Sequence, residues 1–145
     1  MDKFMKEALK EAKRGLNEGG IPIGAVLVRD GKIIGKGHNR RVQKNSPILH
    51  AEIDCLQNAG RIMNYKGTIL YSTLMPCYLC SGAIVHFGIE KLVVGENKNY
   101  LGSGPRRFLN AHGVKVINIL SKECVEIMKK FIKKNPELWK EDSGT

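Results

Sequence analysis

The first part of the chain shows a helical spacing of apolar residues followed by two strand-like segments. The helical spacing is carried by Met5, Leu9, Ala12 and Leu16. It predicts a helix from about Asp2 to Asn17 that ends at Gly19-Gly20. The next two apolar segments, Ile23–Val28 and Lys32–Gly37, flank the turn signal Arg29-Asp30-Gly31. We therefore expect a β-hairpin directly after the first helix.

The rest of the chain alternates between helix and strand patterns, without a repeat or a linker. Helices are predicted at His50–Asn58, at Cys77–Phe87, near Arg106–His112 and from the N-cap Ser121 onwards, and strands at Gly67–Ser72, Lys91–Gly95 and Val114–Ile119. Strands that alternate with helices form a central sheet with helices on both faces. We therefore predict one domain over residues 1–145, a three-layer α/β/α sandwich with a five-stranded mixed sheet. Its first strand pair should be antiparallel and its later strand–helix–strand units parallel.

The composition is that of a compact globular domain. Of the 145 residues, 42% are hydrophobic and 26% are charged, and no apolar run approaches the roughly 20 residues that a membrane span needs. The N-terminal segment lacks the apolar core of a signal peptide, so we expect a cytoplasmic protein. The net charge of +10 raises nucleic acid as a partner, but a solvated lysine-rich surface is the simpler explanation.

The cysteines, at positions 55, 77, 80 and 124, are too few and too unevenly spaced for a disulfide framework. Cys55 and Cys124 fall on helical apolar stripes, so we expect both to be buried as small hydrophobic residues. Cys77 and Cys80 instead form a Cys-x-x-Cys pair after Pro76, at the start of a predicted helix. Such a pair binds a metal ion or performs redox chemistry.

His50 favours the metal alternative, because it begins another predicted helix and can add a nitrogen to the two sulfurs. The free N–H groups at a helix N-terminus favour the thiolates that metal binding requires. His50, Cys77 and Cys80 make only three ligands, whereas a structural zinc site is usually closed by four and a catalytic zinc keeps one position for water. The other histidines, His38, His86 and His112, are expected to be structural or surface residues.

Glu52 stands two residues after His50, where it can face a metal-bound water without being a ligand itself. Zinc lowers the pKa of such a water to about 7, so that hydroxide forms near neutral pH. A neighbouring carboxylate can accept the proton and pass it to a ring nitrogen and a leaving amine. His-x-Glu followed by Pro-Cys-x-x-Cys is the signature of the zinc deaminases that act on nucleobases.

At these motifs the chain resembles the cytidine deaminase superfamily, and beyond them the small cytosine deaminases of the fungal type. The matching segments are Glu18–Gly24, Gly37-His38-Asn39, His50-Ala51-Glu52, Pro76–Cys80, Val94-Gly95-Glu96-Asn97 and Trp139-Lys140-Glu141-Asp142. The zinc signature is common to the superfamily, whereas the Glu-Asn segment and the C-terminal Trp-x-Glu-Asp are specific to the branch. The resemblance implies a homodimer that deaminates free cytosine to uracil and ammonia in pyrimidine salvage, with one zinc per chain.

The resemblance also implies roles for the residues that carry the chemistry and hold the edge of the ring. Zinc would be held by His50, Cys77 and Cys80, with Glu52 as the proton shuttle. The substrate carbonyl and a ring N–H would be bound by Asn39, the Ala51 backbone N–H and Asp142. Asn39 and Ala51 would donate to the carbonyl, and Asp142 would accept from the ring N–H.

Four further residues would surround the ring. The pocket walls would be Tyr100 and Trp139, with Ile23 packed nearby, and the Met75 carbonyl would meet the leaving amine. Three positions differ from the branch, which usually has Phe at position 100, Gly at position 51 and Ser at position 75. These differences bear on which ring is accepted more than on the reaction.

Several alternatives stay open on the sequence alone. The +10 charge and Ala51 favour a tRNA adenosine deaminase of the same superfamily, and guanine or another free base is a further candidate substrate. Two further alternatives belong to other functional classes. Cys77 and Cys80 could form a redox pair, or the chain could be a binding module with a structural zinc. The segment Pro136–Asp142, which holds the only Trp, is expected to be a short helical cap. A cap that closes the pocket admits only a small ring, because an RNA-acting enzyme needs an open mouth for its flipped nucleotide.

Overall fold

The computed structural model describes residues 2–144, so the two ends of the predicted domain, Met1 and Thr145, lie outside the described residues. The elements are α1 (Lys3–Asn17), β1 (Gly24–Arg29), β2 (Lys32–His38), α2 (Ala51–Ala59), β3 (Thr68–Ser72), α3 (Tyr78–Phe87), β4 (Lys91–Val94), α4 (Ser103–Ala111), β5 (Lys115–Asn118), α5 (Lys122–Lys134) and α6 (Pro136–Ser143). Every predicted helix and strand is present. The short helical segment predicted at Pro136–Asp142 is α6, which extends to Ser143.

The strands form one mixed sheet in the order β2-β1-β3-β4-β5. β1 pairs antiparallel with β2 through the predicted hairpin, and antiparallel with β3 on its other side. The pairs β3–β4 and β4–β5 are parallel. β2 and β3, which α2 connects, do not pair with each other because β1 lies between them. The predicted five-stranded mixed sheet is therefore confirmed.

Alternate side chains of the sheet enter two hydrophobic clusters on opposite faces. One cluster joins the sheet to α1 and the start of α5, through Met5, Leu9, Val26, Val28, Tyr71, Val93 and Cys124. The other joins it to α2, α3 and α4, through Leu27, Cys55, Leu70, Ile84, Leu92 and Leu109. Helices thus cover both faces, which confirms the three-layer α/β/α architecture.

Helix α2 packs unusually close to β2. A Cβ atom at Gly37 would lie 2.3 Å from the backbone N of Cys55, so only a residue without a side chain fits there. The N-caps of α2 and α3 are His50 and Cys77. Each of these residues was predicted as the first helical residue and lies one position before it. The two helix N-termini converge at one point, where these caps meet.

Helix α4 begins earlier than its sequence pattern indicated. It was predicted near Arg106–His112 and spans Ser103–Ala111. The N-cap Gly102 adopts a left-handed conformation with φ of 61°, and Pro105 lies in the first turn, where its missing N–H costs little. Among residues 2–144, no helix combines the length and the apolar composition needed to cross a membrane.

Candidate active site

His50, Cys77 and Cys80 form a cluster at the convergent N-termini of α2 and α3. Their potential ligand atoms all lie within 4.8 Å of one another, and Cys77 Sγ lies 3.5 Å from His50 Nδ1. Two sulfurs and one imidazole nitrogen are a donor set that zinc prefers, and three protein ligands leave a fourth position for water. The residues present therefore fit a catalytic zinc ion.

The protonation of this cluster suits a cation. A hydrogen bond with Cys80 and another with His50 outweigh burial and hold the pKa of Cys77 at about 4. The pKa of Cys80 is raised well above its usual value by the same hydrogen bond and by burial. Burial lowers the pKa of His50, but Cys77 and the charges of Asp142 and Glu52 outweigh it and raise the pKa to about 9. A thiolate thus lies beside an imidazolium whose proton a metal ion would displace.

Glu52 lies in the first turn of α2 and is almost completely buried. Burial, with the charge of Cys77, raises the pKa of Glu52 to about 7, although His50 opposes the change. A carboxyl group with a pKa near the working pH can both accept and donate a proton at neutral pH. The structure therefore places an acid–base group beside the three candidate ligands.

A pocket opens directly onto this cluster. Its lining residues are Ile23, Asn39, His50, Glu52, Leu74, Met75, Cys77, Tyr100, Trp139, Asp142 and Ser143. The cavity itself is only about 20 Å³, which is room for about one water molecule, so the lining residues nearly fill it. All predicted ring-binding residues except Ala51 line it. The side chain of Ala51 is buried in the adjoining core, and only the backbone of Ala51 at the first turn of α2 is available for the predicted contact.

Helix α6 lies over this pocket and is bonded to its opposite wall. Asn39 Nδ2 donates a hydrogen bond to Asp142 Oδ2 at 2.7 Å, and Arg41 Nη1 lies 3.7 Å from the same oxygen. Burial raises the pKa of Asp142, while the charge of His50 and the hydrogen bond from Asn39 oppose the change. Trp139 on the same helix is only 9% exposed. The C-terminal segment is thus a docked cap.

Sequence reasoning missed three residues of this region. Leu74 and Ser143 line the pocket, and Arg41 contacts the carboxylates of Glu141 and Asp142. Leu74 and Ser143 are direct neighbours of predicted residues, which was the available signal. Arg41 gave no sequence signal, because its partners lie about a hundred positions away in the chain.

The remaining cysteines and histidines lie where they were expected. Cys55 and Cys124 are fully buried. His38 is buried, with its two ring nitrogens 3.0 Å from Glu11 Oε1 and 2.8 Å from Glu18 Oε1. His86 and His112 are exposed at the C-terminal ends of α3 and α4, where they pack against the rings of Phe87 and Phe108. The expectation that these groups are structural or surface residues is confirmed.

Comparison with known proteins agrees with the chemistry of the site. The family model of the cytidine and deoxycytidylate deaminase zinc-binding region matches residues 1–96, which include all three candidate ligands and Glu52. The chain belongs to this deaminase family. The deaminase is a zinc-dependent hydrolase, and the donor set at its helix N-termini fits that metal. The assignment decides against a redox pair and against a binding module.

Relatives and solved structures extend the match to most of the deaminase. It is 46% identical to a cytosine deaminase of Candida albicans, over 98% of this chain and 95% of that protein. It is 37% identical to a tRNA-specific adenosine deaminase of Streptococcus pyogenes, over 92% and 91% of the two chains. A solved structure from a study of tRNA:A34 deaminases superposes with a TM-score of 0.74 at 32% identity, over 86% and 97% of the chains.

Proposed function

We propose that the deaminase, as one domain over residues 1–145, converts free cytosine and water into uracil and ammonia. The observation that carries this proposal is the direct contact between Asn39 and Asp142 inside the pocket. The contact places a hydrogen-bond donor beside an acceptor, at the side of the pocket that α6 closes. The greater similarity to the cytosine deaminase of Candida albicans than to the tRNA-specific relative supports the same substrate.

The orientation of the Asn39 amide supports its role as a donor. Asn39 Oδ1 accepts a hydrogen bond from the Arg41 backbone N–H at 3.1 Å, which leaves the amide nitrogen to face Asp142. That nitrogen carries two hydrogens, of which Asp142 accepts one. The second can be donated to a carbonyl oxygen of the substrate.

Cytosine matches this pair through two neighbouring groups of its ring. Its C2 carbonyl can accept from Asn39, and its adjacent N1–H can donate to Asp142. In cytidine and in RNA the sugar replaces the hydrogen on N1, so Asp142 would face a carbon substituent instead of a donor. A site built to bind an N–H rejects an analogue without one, because its buried acceptor is left unpaired.

Glu52 performs the proton transfers in this proposal. Zinc, if held by His50, Cys77 and Cys80, would activate a water molecule near neutral pH. Glu52 takes up a proton from the attacking water, whose oxygen bonds to C4 as the bond from C4 to the amine breaks. It returns protons to the ring nitrogen N3 and to the departing ammonia. In the metal-free chain, burial raises the pKa of Glu52 to about 7, and a buried carboxyl group beside the pocket can take up and release protons near neutral pH.

The apolar and aromatic residues of the pocket bind the faces of the ring. We assign Tyr100 and Trp139 to the walls, Ile23 to the adjoining floor, and the Met75 carbonyl to the leaving amine. The Ala51 backbone N–H, at the N-terminus of α2, adds a second donor for the C2 carbonyl. A flat polar ring requires this combination of apolar faces and a few polar edge groups.

The closed pocket also supports a small molecule rather than nucleic acid as the partner. At the mouth, Asp142 and Glu141 are paired with the single cation Arg41, so among the described residues the entrance has no excess positive charge, although the chain as a whole has a net charge of +10. A phosphate backbone would meet these carboxylates at the entrance. We therefore assign the basic surface to solvation and not to a nucleic-acid partner.

We infer that two copies of the deaminase form a homodimer. An apolar groove between α2, the loop that follows it and the end of α3 includes Leu56, Ile62, Met63, Tyr65 and Phe87. Met63 is fully exposed and Phe87 is 43% exposed, as expected for an interaction patch. Sedimentation equilibrium of the parent and of Met63→Glu tests this inference, and a monomeric parent contradicts it.

We further infer a cytoplasmic enzyme of pyrimidine salvage. All four cysteines are free thiols, and two of them serve best as reduced metal ligands, which fits a reducing compartment. Formation of uracil from a free base returns that base to pyrimidine metabolism. Loss of growth on cytosine as the pyrimidine source, after deletion of the gene in its host, is the expected result.

A substrate screen tests the proposed function. Ammonia release by the zinc-loaded deaminase is measured with cytosine, isocytosine, guanine, adenine, creatinine and a tRNA anticodon hairpin. The proposal predicts the highest kcat/KM for cytosine. A higher kcat/KM for guanine or for the hairpin would replace cytosine with that substrate.

A further inference from the structure

Glu96 is a buried carboxylate that the proposed reaction does not use. It follows β4, on the connection that leads to Tyr100 and then to α4, and its exposure is 0%. Glu96 Oε2 accepts hydrogen bonds from the backbone N–H groups of Lys98 at 2.6 Å and Asn99 at 3.0 Å, and Oε1 accepts one from Asn99 Nδ2 at 2.7 Å. No cationic side chain of residues 2–144 forms an ion pair with Glu96, so these N–H donors compensate its charge.

The backbone of Glu96 is bonded to a second segment of the pocket. Its carbonyl oxygen accepts a hydrogen bond from the Met75 N–H at 3.0 Å, two positions before the candidate ligand Cys77. Asn99 Nδ2, which donates to the Glu96 carboxylate, also donates to the Val125 carbonyl of α5 at 3.0 Å. Glu96 therefore connects the segment that carries Met75 with the segment that leads to Tyr100, and Asn99 anchors the second segment to α5.

The two connected segments supply pocket walls that meet at Gly102. A Cβ atom at Gly102 would lie 2.5 Å from Met75 Cγ and 3.1 Å from Tyr100 Cε2. Met75 and Tyr100 thus share one contact point, and both line the pocket. A shift of either segment changes the width of the pocket at this wall.

We propose that Glu96 is a positioning residue that holds Met75 and Tyr100 at a fixed separation and so determines which ring the pocket accepts. This proposal rests on the proposed deamination of cytosine in one respect only, which is that cytosine is chosen as the test substrate. The carboxylate is required because it offers an acceptor oxygen to each set of donors. A neutral amide of the same size has one acceptor oxygen and an NH₂ group that would face the donors of Asn99.

The test compares the zinc-loaded parent with Glu96→Gln, and Asp2→Asn serves as the matched control. Asp2 also accepts from the backbone N–H groups two and three positions ahead, at Phe4 and Met5, but it caps α1 far from the pocket. Backbone amide hydrogen exchange is measured at Lys98 and Asn99. KM and kcat are measured for cytosine and for 5-methylcytosine.

For Glu96→Gln we expect exchange at Lys98 and Asn99 to accelerate by about tenfold or more, and KM for cytosine to rise about tenfold with kcat nearly unchanged. The preference for cytosine over 5-methylcytosine should fall, because a looser wall accommodates the extra methyl group. Asp2→Asn should show none of these changes. Unchanged exchange, or faster exchange with an unchanged KM and preference, would overturn the proposal.

If Glu96→Gln does not fold, Asn99→Ala provides a second test of the positioning role of Glu96. This variant retains the Glu96 carboxylate and removes one of its donors together with the link to Val125. It should raise KM and relax the preference in the same direction but to a smaller extent, and an unchanged KM and preference would contradict the positioning role. A parent that does not act on cytosine would refute the proposed function alone, because the exchange measurement needs no substrate.

Discussion

Asn39 and Asp142, which are 103 positions apart in the chain, are joined by a hydrogen bond of 2.7 Å between Asn39 Nδ2 and Asp142 Oδ2. Asn39 follows β2, and Asp142 lies on α6 at the end of the chain. The bond fixes the C-terminal helix over the pocket and pairs a donor with an acceptor inside it. It is the contact on which the proposed choice of a free base depends.

Asp142→Ala should reduce kcat/KM for cytosine by roughly 10–150-fold, because a hydrogen bond to a charged group is worth about 1.5–3 kcal/mol. Zinc content should not change, since Asp142 is not among the three clustered ligands. Steady-state kinetics and elemental analysis measure the two quantities. Glu141→Ala is the matched control, because Glu141 is exposed and contacts Arg41 but not Asn39. Equal activity of Asp142→Ala and the parent would exclude Asp142 from substrate binding.

Substitution of single cysteines distinguishes those that bind the metal from those that are only buried. Cys77→Ala and Cys80→Ala should lose most of the zinc, because each removes one of three protein ligands. Cys55→Ala and Cys124→Ala change buried cysteines outside the cluster and should retain one zinc per chain. Elemental analysis of the four purified variants distinguishes the outcomes. Full zinc retention by Cys77→Ala would refute the proposed ligand set.

Glu52→Gln should retain zinc and the fold but lose about 10²–10⁴-fold in kcat, the usual contribution of general acid–base catalysis. The amide has nearly the same volume as the carboxyl group but cannot carry the proton between water, ring and amine. Zinc content, circular dichroism and kcat are the measurements. Loss of zinc from this variant would instead make Glu52 a ligand.

In the metal-free form, the titration of Glu52 should make the stability of the fold depend on pH. Burial raises the pKa of Glu52 from 4.5 to about 7, so the folded chain binds this proton more tightly than the unfolded chain. The stability that the protonated carboxyl provides is complete below about pH 4.5 and is lost as the pH rises through 7. Relative to the parent, Glu52→Gln should therefore gain up to about 3 kcal/mol between pH 4 and pH 8.

Urea unfolding of both chelator-treated proteins at these two pH values measures this gain. The charge of Glu52, which helps to raise the pKa of His50, is absent from the variant, so the comparison measures the titration of Glu52 together with its coupling to His50 and Cys77. A difference in unfolding free energy that is the same at both pH values would show that the Glu52 carboxyl is not perturbed by burial.

The sequence predicted the features that depend on local spacing. The alternation of helix and strand patterns gave the layers and the mixed sheet, and His-x-Glu with Cys-x-x-Cys located the metal cluster. These features were predictable because the periodicity of apolar residues and the chemistry of helix N-termini act over short distances along the chain. The boundary of α4 was less accurate, since the left-handed Gly102 and Pro105 start that helix before its apolar pattern begins.

Contacts between distant segments could not be predicted from the sequence. The resemblance to a known branch indicated that Asn39 and Asp142 share a site, but not that they bond to each other or that Arg41 contacts the same carboxylate. The sequence marked the segment with Glu96 as specific to the branch but indicated no role for it. Its hydrogen bonds to Lys98 and Asn99, and the contact of its carbonyl with Met75, become visible only when the β3 and β4 ends lie side by side.

The ratio of kcat/KM for cytosine to that for cytidine, measured on the zinc-loaded parent, tests the central claim most directly. The two substrates present the same amine and the same carbonyl and differ in whether N1 carries a hydrogen or a sugar. Because Asp142 would lose its donor and α6 covers the space that a sugar needs, we predict a ratio of about 10⁴ or more. Comparable values for the two substrates would contradict a pocket that recognises the free base.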